Sequence, residues 1–198
     1  MENKIEIEYR SVIDIKSFDE VLLTFRNNFQ EISHTKRLSY MGFSNNENKS
    51  FDFRSRITNS ESEVVVKIGD LHAHNRVEIP QKISKDQLAG FANIFSNIAD
   101  ESYISERETY NFNSQGDIVI SLVKAATVAY IEFEILSSPS LFDENDSNLK
   151  KFIADNKFEI IDKIGFDKLN KTLSDNDDWK FEGTAADNQK LLELIERY

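Results

Sequence analysis

Cysteine is absent from this 198-residue chain, which removes disulfides, thiolate zinc sites and cysteine nucleophiles together. No apolar run is long enough to span a bilayer, and the charged stretch from Met1 to Arg10 is followed by no apolar core of a secretion signal. The expectation is a soluble, cytoplasmic protein without a membrane partner. The six glycines build no phosphate-cradling loop of the Walker or dinucleotide kind, and no Gly-x-Ser-x-Gly elbow occurs. Positive charge is scarce: the formal net charge is -11, a repulsive field for long nucleic acids or an acidic membrane surface, so any basic site must be local. His72 and His74 lack a third well-spaced ligand and read as solvent-facing.

Aromatics, by contrast, are plentiful. Fifteen Phe and a hydrophobic share of 39% can offset the ordering entropy of a compact fold, and the length suits one domain with a helical tail. Period-two alternation marks strands at Ile5–Arg10, Phe51–Arg54 and Ile131–Ile135, with further candidates at Glu63–Ile68, Asn75–Ile79, Ile104–Phe112 and Asp117–Val123. Turn-like segments lie at Ser44–Lys49 and Asn113–Gly116. Capping boxes at Ser17–Glu20 and Ser84–Gln87 open two helices, with apolar stripes Val21, Leu22, Phe25, Phe29 and Leu88, Phe91, Ile94, Phe95, Ile98. After Pro139 the spacing turns helical at Leu149, Phe152 and Ile153. A last helix begins near Thr184 with Leu191, Leu192 and Ile195 inward, and Ser174–Asp178 reads as an acidic loop beside Trp179.

Residues two apart in a strand share a face about 6.7 Å apart, so Glu6, Glu8 and Arg10 form one charged row and Glu132 and Glu134 another. Like carboxylates on one face repel unless water or a cation separates them. An all-oxygen set suits Mg2+ or Mn2+ better than zinc. Arg54 and Arg56 share a face, and Lys67, Arg76, Arg107 and Lys124 add cations, with Glu78 two residues after Arg76. Arginine forks match phosphate oxygens bidentately, so these rows describe a site for phosphate and metal if they line one interior. The same alternation is shown by any antiparallel sheet with one wet face, and periodicity leaves both readings open.

Taken in order, Glu6-x-Glu8-x-Arg10, Arg54-x-Arg56, Lys67, Arg76-x-Glu78 followed by a helix, Arg107, and Glu132-x-Glu134 resemble the CYTH family, the triphosphate tunnel metalloenzymes. The resemblance covers residues 1–136, with 137–198 as a mostly helical C-terminal extension. It implies an α+β fold: a closed eight-stranded antiparallel β-barrel, the tunnel, with helices packed outside. It further implies Glu6, Glu8, Glu132 and Glu134 as ligands of Mg2+ or Mn2+, and Arg54, Arg56, Lys67, Arg76, Arg107 and Lys124 as phosphate contacts. Glu78 is then a supporting acid, and Glu6, Glu8 and Arg10 the catalytic set. Four departures stand out: Arg10 where the family usually carries lysine, Ser105 where a second basic residue usually precedes Arg107, Ser121 in the region of a usual aspartate, and Leu38-Ser39-Tyr40-Met41 where an aspartate usually stands ahead of an aromatic pair. The activity implied is metal-dependent hydrolysis of a triphosphate, either inorganic tripolyphosphate or a small nucleoside or organic triphosphate. A class IV-type adenylate cyclase and a non-catalytic triphosphate-binding module are the alternatives. A homodimer is compatible with all three.

Overall fold

The computed structural model describes residues 5–46, 49–69, 77–114 and 117–198. His72, His74, Asn75 and Arg76 lie outside the described residues. In chain order the elements are β1 (Ile5–Ile13), α1 (Phe18–Asn28), β2 (Gln30–Asn46), β3 (Lys49–Thr58), β4 (Glu61–Ile68), β5 (Val77–Ile83), α2 (Leu88–Ser96), β6 (Glu101–Asn113), β7 (Val119–Lys124), β8 (Ala129–Ser137), α3 (Phe142–Asp155), α4 (Lys163–Asn176), β9 (Trp179–Lys180) and α5 (Ala185–Ile195). The strands hydrogen-bond in the order β1-β8-β7-β6-β2-β3-β4-β5, with β9 on β6. Among the described residues this order has two ends. Of the closed barrel expected from the sequence, the structure therefore shows an antiparallel sheet of nine strands with five helices. None of these helices is long and apolar enough to cross a membrane.

The chain forms two compact units, Met1–His34 with Glu108–Asn176 and Thr35–Arg107 with Asp177–Tyr198, so β2 and β6 each contribute to both. In the first unit the apolar phase of β1, β7 and β8 (Ile7, Ile120, Leu122, Ile131, Phe133, Ile135) packs on Phe18, Leu22 and Phe25 of α1 and Leu149 and Ile153 of α3. Each of these buried side chains contributes roughly 1.5–3 kcal/mol. Ser17 stands at the N-cap of α1 without a side-chain cap; Asp14 instead accepts from the Lys16 N–H at 2.9 Å and closes the preceding 3-10 turn.

In the second unit Leu38, Tyr40, Ile57, Val64 and Ile104 pack against Leu88, Ala92 and Phe95 of α2 and Leu191, Leu194 and Ile195 of α5. The expected inward stripe of α5 is corrected at one position: Leu194 is buried and Leu192 is 47% exposed, because 191, 194 and 195 follow the i, i+3, i+4 rule of a helix face. Ile94 points outward for the same reason, and Ile98, expected on the inward stripe, is exposed because α2 ends at Ser96 before reaching it. Thr184 and Asp187 cap α5 reciprocally, the Asp187 N–H donating to Thr184 Oγ1 at 3.2 Å and the Thr184 N–H to Asp187 Oδ2 at 3.2 Å. The acidic stretch read as a loop is the end of α4 up to Asn176, and Trp179 enters β9.

Candidate metal centre and cationic rows

Pairing of β1 with β8 sets Glu8 opposite Glu134 and Arg10 opposite Glu132. The period-two pleat turns Ile7, Tyr9, Phe133 and Ile135 to the helices and leaves the acids and Arg10 on the other face. Glu6, Glu8 and Glu134 converge there, each offering one carboxylate oxygen within 4.8 Å of the others. Burial first, then the carboxylates of Glu132, Glu6 and Glu8, push the Glu134 carboxyl up to about 8, against a smaller opposing pull from Arg10. Like charges this close disfavour simultaneous ionisation, and perturbed carboxyls of this kind cluster at functional sites. The all-oxygen donor set, half-buried at its centre, fits a hard divalent cation, with waters completing the coordination.

Glu132 is placed differently from its expected companions. Its Oε1 lies 2.7 Å from Arg10 Nη2, while Arg10 Nε donates to Glu8 Oε1 at 2.6 Å. Burial works against the Arg10 charge, but Glu132 and Glu8 outweigh it and hold the guanidinium charged. Ser121 sits opposite Glu132 and donates to Asn111, whose amide donates to Ser33, both at 2.8 Å. Lys124 is not brought to this face: it stands in the helix-facing phase of β7, with its ammonium 4.8 Å from the Phe18 ring centroid. That contact corrects its expected role as a phosphate ligand, since the face it occupies is that of the apolar core.

In the second unit the register aligns Asp52, Arg54 and Arg56 of β3 with Lys67, Val65 and Glu63 of β4, and Lys67 and Glu63 with Glu78 and Lys82 of β5. The opposite phase of β3, with Phe53 and Ile57, packs on the core under α2. Arg54, Arg56 and Lys67 thus share one face, away from that helix. Arg56 Nε donates to Glu63 at 2.8 Å, and Lys67 Nζ lies 3.2 Å from Glu78, which is also 4.0 Å from Arg56. Glu78 therefore lies between two cations, Lys67 and Arg56. Arg54 donates from Nε and Nη2 to Asp52, a fully buried carboxylate. Arg107 is held by Asp178 at 2.7 Å. A cavity of about 400 Å³ opens beside the Arg56–Glu63 pair, lined by Arg37, Thr58, Ser62, Glu63 and Lys82 among others.

Sequence reasoning missed Asp52 and Asp178, the acids that orient Arg54 and Arg107. The signal for Asp52 was present, because Asp-x-Arg in a strand places acid and base on one face. Asp178 is distant in sequence from Arg107 and carried no such signal.

No family model matches the chain, and no curated protein matches it. Solved structures do. A protein of Pyrococcus horikoshii OT3 aligns with a TM-score of 0.58 at 16% identity, over 84% of this chain and 99% of its own. A candidate adenylate cyclase of Vibrio parahaemolyticus aligns with a TM-score of 0.56 at 12% identity, over 81% and 95%. A candidate adenylyl cyclase of Hippeastrum, described as having a dominant triphosphatase activity, aligns with a TM-score of 0.50 at 11% identity, over 82% and 93%. These chains share their fold with this one.

Proposed function

We propose that this chain, having the fold of those proteins, hydrolyses the terminal phosphoanhydride of a small triphosphate with a bound Mg2+ or Mn2+. The observation that carries this reading is the convergence of Glu6, Glu8 and Glu134 on one face, where burial and the neighbouring acids push the Glu134 carboxyl up. A divalent cation held by Glu6, Glu8 and Glu134 would supply a positive centre that draws charge from phosphate oxygens.

The chain's own residues do the rest. Arg54, Arg56 and Lys67 bind phosphate oxygens, their acidic neighbours Asp52, Glu63 and Glu78 having already set the direction of each fork or ammonium. Such pre-set cations lose little conformational freedom when a phosphate chain arrives. Attack by water on the end phosphorus needs no protein nucleophile. Turnover is tested by orthophosphate release from tripolyphosphate with Mg2+ or Mn2+ in the wild type and in Glu6→Ala. Absence of release by the wild type with either ion would sink the reading. Release of cyclic nucleotide and pyrophosphate from ATP would replace it with the cyclase.

A further inference from the structure

Arg10 ends the acidic row of β1, and its mostly buried guanidinium meets carboxylates at its edges and aromatic rings over its face. Two edges are spent on carboxylates, Nε on Glu8 at 2.6 Å and Nη2 on Glu132 at 2.7 Å. Its Cζ lies over the ring of Phe166, 4.8 Å from the centroid, and over that of Tyr130, 5.7 Å from the centroid. Phe166 comes from the first turn of α4, outside every motif that drew attention to the acidic row.

That turn is itself fixed on Arg10. The Ile161 N–H donates to the Arg10 carbonyl at 2.9 Å, and Asp162 opens the helix by accepting from the Gly165 N–H at 2.8 Å through its side chain and from the Phe166 N–H at 2.9 Å through its carbonyl. Farther along α4, Leu169 and Leu173 pack on Val123 and Tyr130. The helix is thus seated on the same sheet face as the acids, with its aromatic ring on the one cation among them.

We propose that Phe166 is a positioning residue for the cation site, holding the Arg10 guanidinium flat so that it aims the Glu8 carboxylate. This rests on the reading above that Glu6, Glu8 and Glu134 receive the cation. A carboxylate has two oxygens: one stays on Arg10 Nε, and the other is left for the cation in a fixed orientation. Partners of this kind, which orient a ligand without touching the metal, govern affinity strongly. Only a planar fork can be clamped by two rings and pair with two acids at once; a lysine ammonium offers no plane. Arg10, already committed to Glu8 and Glu132, acts through Glu8 and not through the phosphate chain.

The test uses the full chain and Mn2+ alone, with binding read by electron paramagnetic resonance, followed by steady-state hydrolysis of tripolyphosphate. Phe166→Leu, which keeps apolar bulk, is expected to weaken Mn2+ binding roughly tenfold or more, with KM for tripolyphosphate at saturating Mn2+ within about twofold of wild type. Phe166→Tyr is expected to restore the affinity. Arg10→Lys, measured alongside in case the Leu variant does not fold, is expected to show the same loss of Mn2+. Wild-type Mn2+ affinity in Phe166→Leu or in Arg10→Lys overturns the proposal, and so does a rise in KM at saturating Mn2+, which would put Arg10 on the substrate. Failure of the wild type itself to bind Mn2+ overturns the cation reading and this inference together, an outcome distinct from a wild type that binds and variants that match it.

Discussion

Cation binding to this chain should expel a proton, and Glu134 is the group that loses it. With its carboxyl pushed up to about 8 by burial and by Glu132, Glu6 and Glu8, about nine molecules in ten carry that proton at pH 7 in the absence of metal. A divalent ion needs the carboxylate. The Mn2+ dissociation constant should therefore rise as pH falls below 8, approaching tenfold, or about 1.4 kcal/mol, per pH unit. Between pH 8 and pH 6 the predicted loss is about fiftyfold, because half the molecules already carry the proton at pH 8.

Titration calorimetry in two buffers of different ionisation enthalpy reads the proton count directly, and about 0.9 proton per Mn2+ is expected at pH 7. Glu134→Gln should flatten the pH dependence over this window and weaken binding at pH 8. Folding stability without metal follows the opposite sense. The native state holds this proton more tightly than an unfolded glutamate with its ordinary value of 4.5. The stability increment is thus present below about 4.5 and is lost as pH rises to about 8. A Mn2+ affinity that is constant from pH 6 to pH 8, with no proton released, would refute the reasoning.

Three further outcomes follow from the packing and the ion pairs. Asp52→Asn leaves the partly exposed Arg54 guanidinium without its buried counter-charge, and a loss of about 3 kcal/mol is expected in urea denaturation, at the low end for a broken buried pair because Arg54 keeps some water contact. Phe133→Ala opens a cavity between β8 and the α1 and α3 side chains, which should cost roughly 3–5 kcal/mol and lower Tm by about 10 °C or more by calorimetry. Arg56→Lys keeps the charge but loses the fork; KM for tripolyphosphate should rise roughly tenfold with kcat less affected, and an unchanged KM would remove Arg56 from the phosphate contacts.

Most strands were legible because one phase of each is apolar and the other charged, as at Ile5–Ile13 and Ala129–Ser137. β2 was not. Residues 30–34 are exposed on both faces, while Ser39 is buried alongside Leu38 and Tyr40, so the strand never shows a clean alternation. The acidic cluster could be read from Glu-x-Glu spacing alone, since the pleat fixes which side chains share a face. Which acid would join Glu6 and Glu8 and which would pair with Arg10 could not, because that depends on the β1–β8 register, which sets Glu134 against Glu8 and Glu132 against Arg10. Lys124 shows the same limit from the other side: its phase in β7 was fixed by pairing with Ala129 and Glu108, and a lone lysine in sequence carries no phase. Phe166 gave no signal at all, for its contact with Arg10 joins residues remote in the chain.

The most direct measurement is the 31P NMR spectrum of tripolyphosphate, and separately of ATP, incubated with the wild-type chain and Mg2+, alongside Glu134→Ala. Hydrolysis predicts orthophosphate with pyrophosphate from the first substrate, orthophosphate with ADP from the second, and neither in the variant. Persistence of both substrates with the wild type, or phosphate release that Glu134→Ala leaves intact, would contradict the account.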